Sequence, residues 1–98
     1  MDEKHALAAL GALAQETRVG LYRLLVAAGA EGLSAGVIAE RLGVIPSSLS
    51  FHLTHLTHSG LVTQRRSGRQ MIYAADLSVM SDLMDHLAAS YVRPGIEE

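Results

Sequence analysis

Cysteine is absent from this chain of 98 residues. That absence excludes disulfides, thiolate-bound metals and any sensor working through a thiol within these residues. Tryptophan is absent too, and three tyrosines and one phenylalanine are the only aromatics. The core must therefore come from Leu, Val, Ile and Ala. No apolar run reaches the ~18 residues of a membrane span. Residues 6–13 (ALAALGAL) are short and follow acidic residues, so they do not read as a signal peptide. A surplus of positive charge is also missing, since the net charge is −2. The length suits one small domain, placed at residues 1–93, and not two. A domain this small buries a modest fraction of its surface and is helped by dimerisation. The expected compartment is the cytoplasm, and nothing in the composition asks for a cofactor or a membrane.

The charge that is present is unevenly spread. Residues 1–33 sum to −1, residues 34–75 to +3 and residues 76–98 to −4. The middle block holds Arg41, Arg65, Arg66 and Arg69 against Glu40 alone. An acidic end facing away from phosphates is compatible with a basic segment that meets them, with a moderate electrostatic term at physiological salt.

Periodicity predicts five helices and two strands. Asp2 and Glu3 suit the positive end of a first helix over 2–13, with Leu7 and Leu10 in its apolar stripe. Leu21, Leu24, Leu25 and Ala28 mark a second helix over 15–28, ended by Gly29 and Gly32. Ser34 reads as the N-cap of a third helix over 35–42, with Val37, Ile38 and Leu42 inward and Gly43 as its stop. Pro46 or Ser47 opens a fourth helix that closes before Gly60. The few residues between the third and fourth helices match the tight helix-turn-helix connection. Strands over 61–66 and 69–75 flank a two-residue turn placed at Ser67-Gly68. A last helix over 77–92 carries Leu77, Met80, Leu83, Met84, Leu87 and Tyr91 on one side. Pro94-Gly95 breaks it, and residues 94–98 read as a disordered tail.

The fourth helix is the informative one. At 100° per residue Leu49, Leu53 and Leu56 fall within ~60°, with His52 at the border. The opposite side carries Ser47, Ser48, Ser50, Phe51, Thr54, His55 and His58. Small hydroxyl side chains let a helix approach base edges and phosphates closely, although Ser47 also suits a cap. Phe51 on this polar side is placed to touch a thymine methyl in a major groove, while an exposed Phe by itself carries no meaning. Arg65, Arg66 and Arg69 around the hairpin turn suit the minor groove or the DNA backbone, against the plainer reading of a solvated hairpin end. The spacing His52-x-x-His55-x-x-His58 raises metal binding. The three span about 120° of the helix with no carboxylate among them, so His52 reads as half-buried and the others as solvated or near phosphate. Candidate DNA-contacting residues are therefore Ser47, Ser48, Ser50, Phe51, Thr54, His55, Arg65, Arg66 and Arg69.

The chain resembles the ArsR/SmtB family of bacterial repressors over nearly its whole length. The resemblance rests on Leu13-Ala14-Gln15-Glu16-Thr17-Arg18, Ile38-Ala39-Glu40-Arg41-Leu42, Ser47-Ser48-Leu49-Ser50-Phe51-His52-Leu53, Ser59-Gly60-Leu61-Val62 and Arg66-Ser67-Gly68-Arg69 with Tyr73. It implies a mainly helical winged helix-turn-helix with a small β-hairpin wing, dimerising through its first and last helices. It implies a homodimer on a palindromic stretch of double-stranded DNA, and repression relieved by an inducer. The wide apolar face of the last helix argues for the dimer independently, with Leu7, Leu10, Leu83, Met84, Leu87 and Tyr91 as interface candidates.

The family's inducer sites are where this chain departs. The Cys-x-Cys of its arsenic and lead sensors is here Ser34-Ala35-Gly36, and the late cysteine pair of another branch is here Ala89-Ser90-Tyr91. The zinc-sensing branch uses Asp, His, His and Glu along the last helix. This chain offers Asp82 and His86 four residues apart, with His5 as a further donor; the plainer reading is a solvated Asp82–His86 pair. No metal site is assigned, and the effector is left open between a small organic molecule, a nitrogen- or oxygen-bound metal, a protein partner and none. A winged helix can also serve as a protein-interaction module with weak or no specific DNA binding, which the net acidity would suit. An enzyme is not expected, because no nucleophile, base and orienting group come together.

Overall fold

Each helix is started and stopped by the residues at its ends. The computed structural model describes residues 1–92. Helix α1 (Glu3–Leu13) is capped by Asp2, whose carboxylate accepts the His5 N–H at 2.8 Å. That bond, with a side-chain bond to His5, holds the Asp2 carboxyl below its ordinary value. Helix α2 (Glu16–Ala28) follows and runs into a single 3-10 turn at Gly29–Glu31. Ser34 caps α3 (Ala35–Leu42) through its hydroxyl to the Val37 N–H, and Gly43 closes it in the left-handed conformation. Helix α4 (Pro46–His58) has proline in its first turn, where the missing N–H costs nothing. Asp76 caps α5 (Leu77–Tyr91) by accepting from the Ser78 N–H and hydroxyl and the Val79 N–H.

The sheet has three strands where two were expected. Strand β1 (Leu33–Ser34), β2 (Val62–Ser67) and β3 (Gln70–Ala75) lie in the order β1-β3-β2, all antiparallel. β1 pairs Leu33 with Tyr73 and Ser34 with Ile72. Two residues have no alternation to read, so this strand exists only because β3 offers an edge. Gly32 makes the approach feasible: a Cβ there would stand 2.3 Å from the Tyr73 carbonyl oxygen, and its φ is +70°. The hairpin turn also sits one residue later than expected. Ser67 pairs with Gln70, leaving Gly68-Arg69 as the turn. Gly68 has φ +63° and Arg69 does not have positive φ, the pattern of a type II′ turn.

The core is aliphatic. Leu21 and Leu25 of α2, Ile38 of α3, Leu49 and Leu56 of α4, and Leu61 with Val62 are fully buried. Helix α1 meets this core through Ala6, Ala9 and Ala12 rather than through a leucine stripe. Leu10 packs partly against the core while Leu7 is 58% exposed. Alanines leave no bulk between backbones, so α1 lies close to its neighbours. On α5, Leu83 is the residue buried within its own chain, and Leu87 is partly so. This corrects the expectation that Leu83 lies on an outer apolar face; Met84 and Tyr91 do lie there. Among the described residues no helix is long and apolar enough to cross a membrane. The expected domain limit at residue 93 and the tail 94–98 fall outside the described residues.

Candidate nucleic-acid interface

Residues 43–45 alone separate α3 from α4. Gly43 makes the sharp reversal, and the Val44 N–H bonds back to the Ala39 carbonyl at 3.1 Å. Leu49, Leu53 and Leu56 are buried as the helical wheel places them. This fixes the rotation of α4 and turns Ser47, Ser50, Phe51, Thr54, His55 and His58 outward, with Ser48 half-buried. The Thr54 hydroxyl donates to the Ser50 carbonyl at 2.9 Å. Its hydrogen is spent on its own helix, leaving lone pairs and a methyl group toward solvent. Phe51 is 57% exposed, and its ring stands edge-on to His55 with centroids 4.6 Å apart.

His52 is more buried than its border position suggested. It lies at 9% exposure, and its Nδ1 accepts from Arg18 Nε at 3.0 Å. Burial lowers its pKa first, and the positive Arg18 and the neighbouring His55 lower it further. A neutral imidazole with a free Nδ1 lone pair is what this hydrogen bond needs. The Arg18 guanidinium carbon is also 5.5 Å from the Phe51 ring centroid, a cation–π distance. From the sequence Arg18 was read only as one basic group of residues 1–33 and as the end of the Leu13–Arg18 motif, not as a site residue. Its signal was position: Arg18, Leu21 and Leu25 share one face of α2, and both leucines are buried.

The wing arginines divide. Arg66 in β2 and Arg69 in the turn are exposed and form no ion pair among the described residues. Arg65 instead reaches across the sheet, and its Nη2 donates to the Glu31 carbonyl at 2.8 Å. Its fixed partner is the protein body, so it braces the wing against the turn after α2.

The metal candidates do not converge. His86 Nε2 lies 2.9 Å from a Glu3 carboxylate oxygen, and the Tyr91 hydroxyl donates to the other oxygen of that carboxylate. The expected Asp82–His86 pair is thus replaced by a clasp joining the two ends of the described chain. His5 is held by Asp2 in its own first turn at 2.7 Å. Among the described residues no group of three or more His, Asp or Glu could hold a metal ion.

Comparison with known proteins agrees with this geometry. A family model described as a helix-turn-helix domain matches residues 13–65. A protein of Halobacterium salinarum named as an arsenical resistance operon repressor is 42% identical over 64 residues, 65% of this chain and 49% of the relative. An HTH-type transcriptional regulator of Bacillus subtilis is 33% identical over 58 residues, 59% of this chain and 57% of the relative. The chain thus spans about half the length of the curated relatives it matches. Among solved structures, an ArsR-like transcriptional regulator from Rhodococcus sp. RHA1 superposes with TM-score 0.78 at 28% identity, covering 88% of this chain and 78% of that one. A homodimeric winged helix-turn-helix DNA-binding domain from Mycobacterium bovis superposes with TM-score 0.70 at 24% identity, covering 97% and 88%, and speaks to the fold alone. The family and fold are those of transcriptional regulators and not of enzymes. With its helix-turn-helix, three-stranded wing and motif matches, the chain belongs to the ArsR family of winged helix-turn-helix transcriptional regulators.

Proposed function

We propose that this chain is a transcriptional repressor that binds a palindromic operator as a homodimer. The observation that carries the reading is the exposed polar face of α4, Ser47, Ser50, Phe51 and Thr54, on the same molecule as Arg66 and Arg69 of the wing, which are exposed and form no ion pair among the described residues. One element is suited to read base edges and the other to hold the backbone or minor groove. Ser48 and His55 flank the reading face, and Arg65 contributes chiefly by holding the wing in place. Leu7, Met84 and Tyr91 are exposed apolar groups near the two ends of the described chain, with Leu10 and Leu87 half-buried beside them. They form the interface of the proposed dimer. A two-fold dimer on DNA requires half-sites spaced by whole helical turns. The homodimeric Mycobacterium bovis domain supports the same arrangement by fold.

The inducer, in this reading, acts without thiolates, because the chain carries no cysteine. A DNA partner fits a cytoplasmic location for the chain. Binding to the DNA upstream of its own gene, followed by fluorescence anisotropy with a chelator and with added zinc, tests both parts. Tight, salt-steep binding that zinc leaves unchanged is expected. Release by zinc would return Asp82, His86 and His5 as ligands supplied across a dimer.

A further inference from the structure

Arg18 and His52 are the only basic side chains buried among the described residues. A guanidinium cannot shed its charge, so its burial has to be offset by its surroundings. The partners of Arg18 are a neutral imidazole through Nε and the face of Phe51, and neither is an anion. No carboxylate pairs with it among the described residues. Its terminal Nη groups have no protein acceptor there either, yet the one fully buried side-chain polar atom without a partner is the Tyr22 hydroxyl. The Nη groups therefore reach solvent.

Arg18 lines a groove of about 370 Å³ between α1 and the C-terminal half of α4. Ala8, Gly11 and Ala12 form its α1 wall, and His55 and His58 stand on its α4 wall. None of its lining residues is acidic. The α1 wall is made of the smallest residues, and a Cβ added at Gly11 would meet nothing within 4 Å. The groove thus combines a fixed guanidinium, two imidazoles and open space. His55, which lines it, also touches the Phe51 ring on the reading face. A strand whose bases meet Phe51 would run its phosphates past His55.

We propose that this groove is a phosphate site, in which Arg18, with His55 and His58 at its rim, takes a backbone phosphate of DNA bound along α4. This rests on the DNA-binding reading above and adds a contact outside the helix-turn-helix and the wing. A guanidinium offers paired donors to two phosphate oxygens, and Nε is already spent on His52, so Nη1 and Nη2 are the donors. The same contact would supply the missing negative charge beside Arg18.

Substituting Arg18 itself would disturb the packing of His52, so the test fills the groove instead. Ala8 is an exposed position of α1, and Ala8→Glu brings a carboxylate to Arg18. Ala8→Gln is the neutral control, and Ala27→Glu puts the same charge on an exposed position at the far end of α2. Affinity for a duplex of the upstream DNA is measured across a salt series. Loss of one phosphate contact lowers the salt slope by about one and weakens binding by about tenfold. That result is expected for Ala8→Glu alone. If Ala8→Glu and Ala8→Gln share one slope while Arg66→Ala and Arg69→Ala lower it, the groove assignment fails and the DNA-binding reading stands. If the unaltered protein shows no salt-dependent duplex binding, both fail. Inorganic phosphate, titrated alone while the Arg18 Nε–H resonance is followed, separates a free anion from a backbone phosphate. Saturation by inorganic phosphate with no effect of Ala8→Glu on the salt slope would assign the groove to a free anion and overturn the proposal.

Discussion

The hydrogen bond from Arg18 to His52 makes one proton a structural variable. Burial, then the positive Arg18 and His55, hold the His52 pKa below its ordinary 6.5. The unfolded chain therefore binds this proton at a pH where the folded chain does not. Stability from this group is complete above ~6.5 and is lost as pH falls from there through the lowered folded value. Asp2, Glu3 and Asp76 are also held below their ordinary values, and they act only in the carboxylate range. Urea unfolding at pH 7.5 and pH 5.5 should show lower stability at the acid end, and His52→Gln should remove most of that difference. Gly32 is the second sensitive residue. Gly32→Ala combines a left-handed φ with a clash against the Tyr73 carbonyl, so a loss of more than ~2 kcal/mol in the same unfolding measurement is expected. Neither effect was legible from residue types. An arginine in a sequence looks like a surface charge, and a glycine near a helix end looks like a stop signal. The face that Arg18 shares with Leu21 and Leu25 was legible, as was the border position of His52. What no sequence spacing supplied was the distance between two helices.

At the scale of elements, local chemistry was read more easily. The cap Ser34, the stop at Gly43 and the proline opening α4 act within a few residues, so the helix limits agree closely with expectation, while the cap at Asp76 was not read. Asp76→Ala removes the acceptor of two backbone N–H groups at the start of α5 and should cost about 1 kcal/mol in thermal or urea unfolding. The wing was read less well because its geometry comes from partners distant in sequence. β1 exists through its pairing with β3, and the turn moved by one residue because only Gly68 takes positive φ. The division of the arginines follows from that sheet, since neighbouring residues of β2 point to opposite faces. Arg66→Ala and Arg69→Ala should each lower the salt slope of DNA binding by about one. Arg65→Ala should change the slope less, because Arg65 is committed to the Glu31 carbonyl.

At the scale of the molecule, the family and the winged architecture were legible because several weak motifs fell in one order at one spacing. The partner of His86 was not legible from spacing: among the described residues Glu3, not Asp82, meets it. The apolar face of α5 was only partly read. Amphipathic spacing marks which residues share a side but not which of them the chain covers itself, and Leu83 proved to be core. The exposed Leu7, Met84 and Tyr91 leave a surface that a second copy would cover, so sedimentation should find a dimer at micromolar concentration and Met84→Glu should shift it toward monomer. Operator binding brings both surfaces to one test. Fluorescence anisotropy on the DNA upstream of the gene, against random duplex and across a salt series, addresses the central claim most directly. Binding tighter than to random duplex, two chains per site and a steep fall with salt are the predicted result. Equal, weak affinity for both duplexes that salt does not change would contradict the account.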